Sequence, residues 1–150
     1  MALFIVQHGL SLPEDIDPER GLSAEGRSDV ERIASVAAGY GVRVAVIVHS
    51  GKKRAMQTAE IMASHLHPDE LIKRAGINPA DPVEPFAATL DVKSDLMIVG
   101  HLPFLERLVS HLILGRSEPR VFRLQKGGIL CLDSVDGAWV IKWSLMPRID

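Results

Sequence analysis

The chain has 150 residues, 47% of them hydrophobic, and a formal net charge of −2 at pH 7. That length fits one domain over residues 1–150 with ample apolar material for a core, and the slightly acidic balance excludes nucleic-acid binding through a broad basic face. The lone cysteine, Cys131, excludes an internal disulfide; set between Leu130 and Leu132 it reads as a buried thiol in a reducing compartment, so a cytoplasmic protein is expected. The amino terminus lacks the charge and apolar length of a signal peptide, and no segment approaches the roughly 18 apolar residues of a membrane span, so a soluble protein without membrane contact is expected.

The first element is the run LFIV, residues 3–6, which stops at Gln7-His8-Gly9. Its continuous rather than alternating apolar pattern is that of a strand covered on both faces. A helix follows, with Ser23 as N-cap, an apolar stripe of Val30, Ile33, Ala34 and Ala37, and Gly39 and Gly41 at its end. The second strand, VAVIV at 44–48, runs into His49 and a helix whose Met56, Ala59, Ala63 and Leu66 share one face. GINPADPVEP at 76–85 holds three prolines and reads as a loop, with a short helix from Glu84 to Leu90. The third strand, LMIV at 96–99, ends at Gly100-His101; Pro103 suits the first turn of the next helix, Leu105, Leu108, Val109 and Leu112 form its stripe, and Gly115 stops it. Last, ILCLDSV and AWVIKWSLM flank Asp136-Gly137, the signal of a β-hairpin. The βαβαβα series predicts right-handed crossovers in an α/β three-layer sandwich: a mainly parallel central sheet, helices on both faces, and the hairpin at the sheet edge.

In an open parallel sheet the carboxyl ends of the strands share one edge, where ligands bind. His8, His49 and His101 each follow a strand and converge on that edge. Two of them precede helices, whose amino termini offer free N–H groups and a positive dipole end to an anion, and Arg54 stands in the first turn of the second helix. Together these features describe a phosphate site. His65 and His67 lack the cysteine or acidic cluster of a metal site and read as surface residues, and His111 reads as a helix residue without chemistry. Rival phosphate chemistries fail on spacing. A P-loop would need glycine at Val46 and a hydroxyl at Lys53, no arginine closes a short anion loop after Cys131, no G-x-S-x-G elbow occurs, and Asp15 and Asp17 do not directly follow a strand. Histidine itself remains as the candidate nucleophile.

These motifs, in this order, resemble the histidine phosphatase superfamily with its phosphoglycerate mutase-like fold, and in particular its small SixA-type phosphohistidine phosphatase branch. The resemblance rests on His8 and Gly9 after the first strand, on Leu22, Ser23 and Gly26, on Ser50, Gly51, Arg54, Ala55, Gln57, Thr58 and Ala59, and on Gly100, His101 and Pro103. It implies that neutral His8 attacks phosphorus to give a phosphohistidine intermediate that water hydrolyses, that Arg54 and His101 hold the non-bridging oxygens, and that neither metal nor cofactor takes part. Gln7 departs from the pattern, because the family carries arginine there; a neutral amide replaces a charged, bidentate fork and predicts a weakened enzyme. His49, if protonated, and Lys126 are candidates to replace that charge. Asp81 and Glu84 offer carboxylates near the site, but a phosphoramidate whose ring nitrogen is protonated leaves without a dedicated acid, so neither is expected to be essential. The substrate expected is a phosphorylated protein, for instance a histidine phosphotransfer domain, with small phosphate esters as a weaker reading. The alternative from another class is a non-catalytic phospho-binding module; retention of His8 favours catalysis.

Overall fold

The apolar runs become the inner strands of one sheet. In chain order the elements are β1 (Ala2–Gln7), α1 (Ala24–Gly39), β2 (Val46–His49), α2 (Lys53–Leu66), β3 (Glu70–Lys73), α3 (Glu84–Ala87), β4 (Leu96–Gly100), α4 (Phe104–Leu114), β5 (Ile129–Val135) and β6 (Ala138–Leu145). They are seen in a computed structural model that describes residues 2–91 and 93–149. The strands lie in the order β3-β2-β4-β1-β5-β6. β1, β2, β3 and β4 pair parallel, whereas β5 runs antiparallel to both β1 and β6. The predicted α/β sandwich with its edge hairpin is therefore present.

The unbroken apolar pattern of β1 follows from burial on both faces. Phe4 and Val6 face Val30, Ile33 and Ala34 of α1 and Ala55, Ala59 and Met62 of α2. Leu3 and Ile5 face Leu105, Leu108 and Val109 of α4, with Phe86 of α3 beside them. Burying such a side chain contributes about 1.5–3 kcal/mol each, and β1 commits four of them, so this strand is a firm base for whatever its end carries.

The end signals act as read. The Ser23 hydroxyl caps α1 by accepting the Gly26 N–H at 3.0 Å. Gly115 closes α4 in the left-handed region at φ 79°, its N–H donating to the His111 carbonyl. Asp136 and Gly137 both have positive φ, 50° and 79°, as a two-residue hairpin turn requires. Glu84 opens a short helix that stops at Ala87, inside the predicted span. β3 has no counterpart in the sequence reading. Its four residues ELIK are all exposed at the sheet edge, so it carries neither a buried run nor an alternation, and it forms because β2 offers a free edge. Among the described residues no helix is long and apolar enough to cross a membrane.

Candidate active site

Register brings the histidines together. Gln7 pairs with Gly100 across β1 and β4, so the residues that follow each, His8 and His101, leave the same sheet edge side by side. The His8 N–H donates to the Gly100 carbonyl at 3.0 Å. The two imidazole rings lie 5.1 Å apart between centroids and 47° out of parallel, and both are buried, His8 at 7% exposure and His101 at 2%. Arg54, the second residue of α2, is tied to the same point through one buried hydroxyl. The Gly9 N–H donates to Thr58 Oγ1 at 2.9 Å, and that hydroxyl donates to the Arg54 carbonyl at 2.8 Å. The glycines of this region are fixed by close approach. A Cβ on Gly9 would come within 2.8 Å of Val30 Cγ2, and one on Gly26 would strike the Leu10 carbonyl. Small residues here let α1 and α2 close on the end of β1.

Protonation follows from these partners. His8 Nδ1 lies 2.7 Å from the Gly9 carbonyl oxygen, which can only accept, so Nδ1 carries the proton and Nε2 keeps its lone pair. Burial first, then the positive charges of Arg54, Lys126 and Arg20, lower the His8 pKa to about 4 against the pull of the Gly9 bond. Burial, then His8, Arg54 and Lys52, lowers that of His101 to about 3. Both rings are therefore neutral near pH 7. His101 Nε2 shares a 2.6 Å hydrogen bond with the Ser50 hydroxyl. Two buried side-chain nitrogens, His101 Nδ1 and Arg54 Nε, have no hydrogen-bond partner among the described residues. Burial, and secondarily Arg20, lowers the pKa of Arg54 from its usual high value, but a guanidinium stays charged.

The remaining predicted residues divide. Gln7 is buried at 6% exposure, and its carbonyl accepts the Gly127 N–H at 2.9 Å. It forms one wall of a groove of about 670 Å³ shared with Leu102, Glu106, Arg120, Phe122 and Lys126. Lys126 bridges to Gln7 and is exposed, so it joins the site at its rim. His49 does not join it. Its Nδ1 accepts the Gly51 N–H at 3.1 Å within its own loop, and burial lowers its pKa, so it offers no replacement charge at neutral pH. Asp81 turns back on its own loop, accepting the Asn78 N–H at 2.8 Å. His65 pairs with Glu31 on the surface. Among the described residues no group of three His, Cys, Asp or Glu side chains gathers that could hold a metal ion. Sequence reasoning missed Arg20, whose charge acts on both His8 and Arg54, and gave no part to the Ser50 hydroxyl. Arg20 sits in an irregular loop without periodicity, so nothing local marks it.

An imidazole pair at two neighbouring strand ends, with an arginine from the start of α2, stands at the carboxyl edge of an α/β sheet, the place where such folds bind ligands. The chain belongs to the histidine phosphatase superfamily (branch 1), whose family model matches residues 4–79. The coordinates are similar to those of the protein histidine phosphatase SixA complexed with tungstate, at 23% identity and a TM-score of 0.84, over 98% of this chain and 97% of that one. A putative phosphohistidine phosphatase SixA from Agrobacterium tumefaciens matches with 23% identity and a TM-score of 0.77, over 96% and 97% of the two chains. A putative alpha-ribazole-5'-P phosphatase from Escherichia coli matches with 18% identity and a TM-score of 0.79, over 100% and 99%. At these identities the likeness establishes the fold. No curated protein matches the chain.

Proposed function

We propose that the protein is a phosphatase acting through a phosphohistidine intermediate on His8, with phosphohistidine in a protein as its substrate. The observation that carries this reading is the 2.7 Å bond from His8 Nδ1–H to the Gly9 carbonyl, which fixes the tautomer and frees the Nε2 lone pair beside Arg54 and His101. Nε2 attacks phosphorus, the bond from phosphorus to the leaving nitrogen breaks, and the protonated ring of the substrate departs neutral. Water then attacks the phosphoryl group on His8, giving phosphate and restoring the neutral ring. His8 need shed no proton from Nε2 before attack, because its pKa of about 4 leaves that nitrogen unprotonated near pH 7.

Phosphoryl transfer depends on positioning and on charge held against the equatorial oxygens. Arg54 supplies a fixed cation whose Nε is buried and free of other partners. A phosphoryl dianion beside His101 favours its protonated form, so that binding brings in a second positive charge that the free site lacks. Ser50 holds that ring at Nε2 during the change. The groove of about 670 Å³ that Gln7 lines runs beside this cluster without being walled by His8, Arg54 or His101, and it offers a protein substrate room next to the phosphoryl group.

The test is turnover of a phosphohistidine peptide and of p-nitrophenyl phosphate by wild type and His8→Ala. The expected result is hydrolysis of the peptide in preference to the ester, an acid-labile phosphoenzyme after quenching, and loss of both with His8→Ala. Full hydrolysis by His8→Ala would overturn the mechanism. A second reading, a phospho-binding module, is favoured by one feature, the uncharged Gln7 next to His8. It is the outcome if vanadate binds while neither substrate turns over.

A further inference from the structure

We propose that the groove beside Gln7 is a subsite for the acidic flank of a phosphohistidine protein, in which Arg120, Arg123 and Lys126 pair with aspartate or glutamate side chains near the phosphorylated residue. The proposal rests on the reading of the His8 cluster as a phosphohistidine site, and it names the sequence surroundings which that site selects.

The backbone builds the row of cations. Residues 115–128, between α4 and β5, belong to no helix or strand, yet they are anchored at three N–H groups spaced three residues apart. The Val121 N–H donates to Ser110 Oγ at 3.1 Å, the Leu124 N–H to Glu106 Oε2 at 2.9 Å, and the Gly127 N–H to the Gln7 carbonyl at 2.9 Å. Ser110 and Glu106 stand one turn apart on α4, so both acceptors lie on one face of that helix. The residues just before the three anchors are Arg120, Arg123 and Lys126. All three are exposed, and all three line the groove. Each is at most about 11 Å from the next along the chain, in a segment that cannot slide.

Charge decides what fits there. Glu106 is the one carboxylate among the lining residues, and both its oxygens are committed, one to the Leu124 N–H and the other to Arg120 Nη1 at 3.4 Å. Arg123 and Lys126 form no ion pair among the described residues. A chain of formal net charge −2 therefore keeps a local excess of positive charge in this groove. Half-buried Leu102 and Phe122 add apolar contact between the charges.

Continuity with the histidines says where the partner's acids lie. Gln7 directly precedes His8 and Leu102 directly follows His101, so the groove starts one residue from each imidazole. Lys126, bridged to Gln7, stands at that end, and Arg120 lies six residues back along the segment. An extended peptide rises about 3.3 Å per residue, so carboxylates within about six positions of the phosphohistidine reach the row. An exposed ion pair changes affinity by up to about fivefold, and selection comes from the row acting together.

The test uses two fluorescent peptides that carry a stable phosphotriazole analogue of phosphohistidine, one with glutamates within about six residues on both sides of it, the other with glutamines in their place. Anisotropy should show about tenfold tighter binding of the glutamate peptide at about 0.05 M salt, falling below about twofold above about 0.5 M. Arg123→Glu should abolish or invert that preference, and Arg123→Gln should give an intermediate value. Arg43→Glu, which changes net charge equally from an exposed position before β2, should leave the preference in place. The corresponding phosphohistidine peptides should show the same preference in KM. Equal affinity for the two analogues, or no binding of either, would overturn the proposal. So would a preference that Arg123→Glu leaves intact or that Arg43→Glu erases as completely. Preferential binding in a protein that hydrolyses neither phosphohistidine peptide upholds the groove while the phosphatase reading fails. Hydrolysis of both peptides with equal KM and equal analogue affinity overturns the groove and leaves the phosphatase reading standing.

Discussion

His8 has two unlike flanks. On the side of α2 lie Arg54 with its buried Nε, the Thr58 hydroxyl that ties helix to strand, and the Arg20 loop lashed to the same helix. On the other side Gln7 is neutral, and the cations of the open groove, Lys126, Arg123 and the Glu106-paired Arg120, are all exposed. The first flank holds charge in fixed, desolvated geometry, where it acts through a low effective dielectric; the second holds it on a long, screened side chain. Position and burial, more than the number of cations, decide which flank governs an anion.

The largest effect should therefore come from Arg54→Ala. Losing two charge-assisted hydrogen bonds of about 1.5–3 kcal/mol each predicts roughly a thousandfold fall in kcat/KM, with little change in fold. A fall of less than about tenfold would show that the α2 flank does not dominate. Next comes pH. The folded His8 pKa of about 4 lies below the ordinary 6.5, so between those values the unfolded chain binds a proton that the folded one refuses. Stability should be full above pH 6.5 and fall by roughly 3 kcal/mol for this one histidine as pH drops to about 4, with His101 adding to the decline in the same window. Urea unfolding at pH 7 and pH 4.5 measures it, and His8→Asn should remove the His8 share of the decline and leave that of His101. A profile that is already flat in wild type would mean that the rings are more hydrated than their burial implies. Activity should behave differently. Since kcat/KM reports the free enzyme, His8 gives it no inflection at 6.5, and the proton that His101 takes up on binding should make it rise as pH falls from 7 toward 5.

The two flanks also differ in how far the sequence announces them. Strands β1, β2 and β4 show themselves as buried apolar runs, so His8 and His101 could be placed on one edge from pattern alone. Arg54 was legible because it follows a strand by a fixed short distance and opens a helix. His49 obeys the same rule and nevertheless turns its Nδ1 to the Gly51 N–H, because which way a strand-end ring points is settled by loop hydrogen bonds that carry no periodic signal. Arg20 is the converse case. It is twelve residues from His8 in an irregular loop, and only the Asp17 turn and the Lys53 and Gln57 contacts bring it in. β3 was invisible for a further reason, since an exposed edge strand depends on its neighbour and not on its own composition.

The second flank can be rebuilt. Gln7→Arg would put a charged fork on the strand beside His8, and the gain of one charge-assisted bond in the transition state predicts a rise in kcat of about ten- to a hundredfold. The side chain has room, because Gln7 already lines the groove of about 670 Å³. The measurement is steady-state turnover of the phosphohistidine peptide by wild type and Gln7→Arg at equal salt. Unchanged or lower activity would mean that the α2 flank already saturates the oxygens and that the site is adapted to glutamine.

Lys126→Ala should have the smallest effect, and its size measures how much the exposed flank matters. Lys126 is among the charges that lower the His8 pKa, so removing it relaxes that depression slightly and takes one positive charge from the groove rim. An exposed ammonium is screened over a Debye length of about 8 Å at physiological salt, which limits its part to a few tenths of a kcal/mol and kcat/KM to a two- to threefold fall. That fall should disappear above about 0.5 M salt, where screening is nearly complete, while the Arg54→Ala deficit should persist because the Arg54 Nε is buried. Equal salt sensitivity in the two variants would erase the distinction between the flanks. A Lys126→Ala loss as large as that of Arg54→Ala would reverse it and move the dominant cation to the groove.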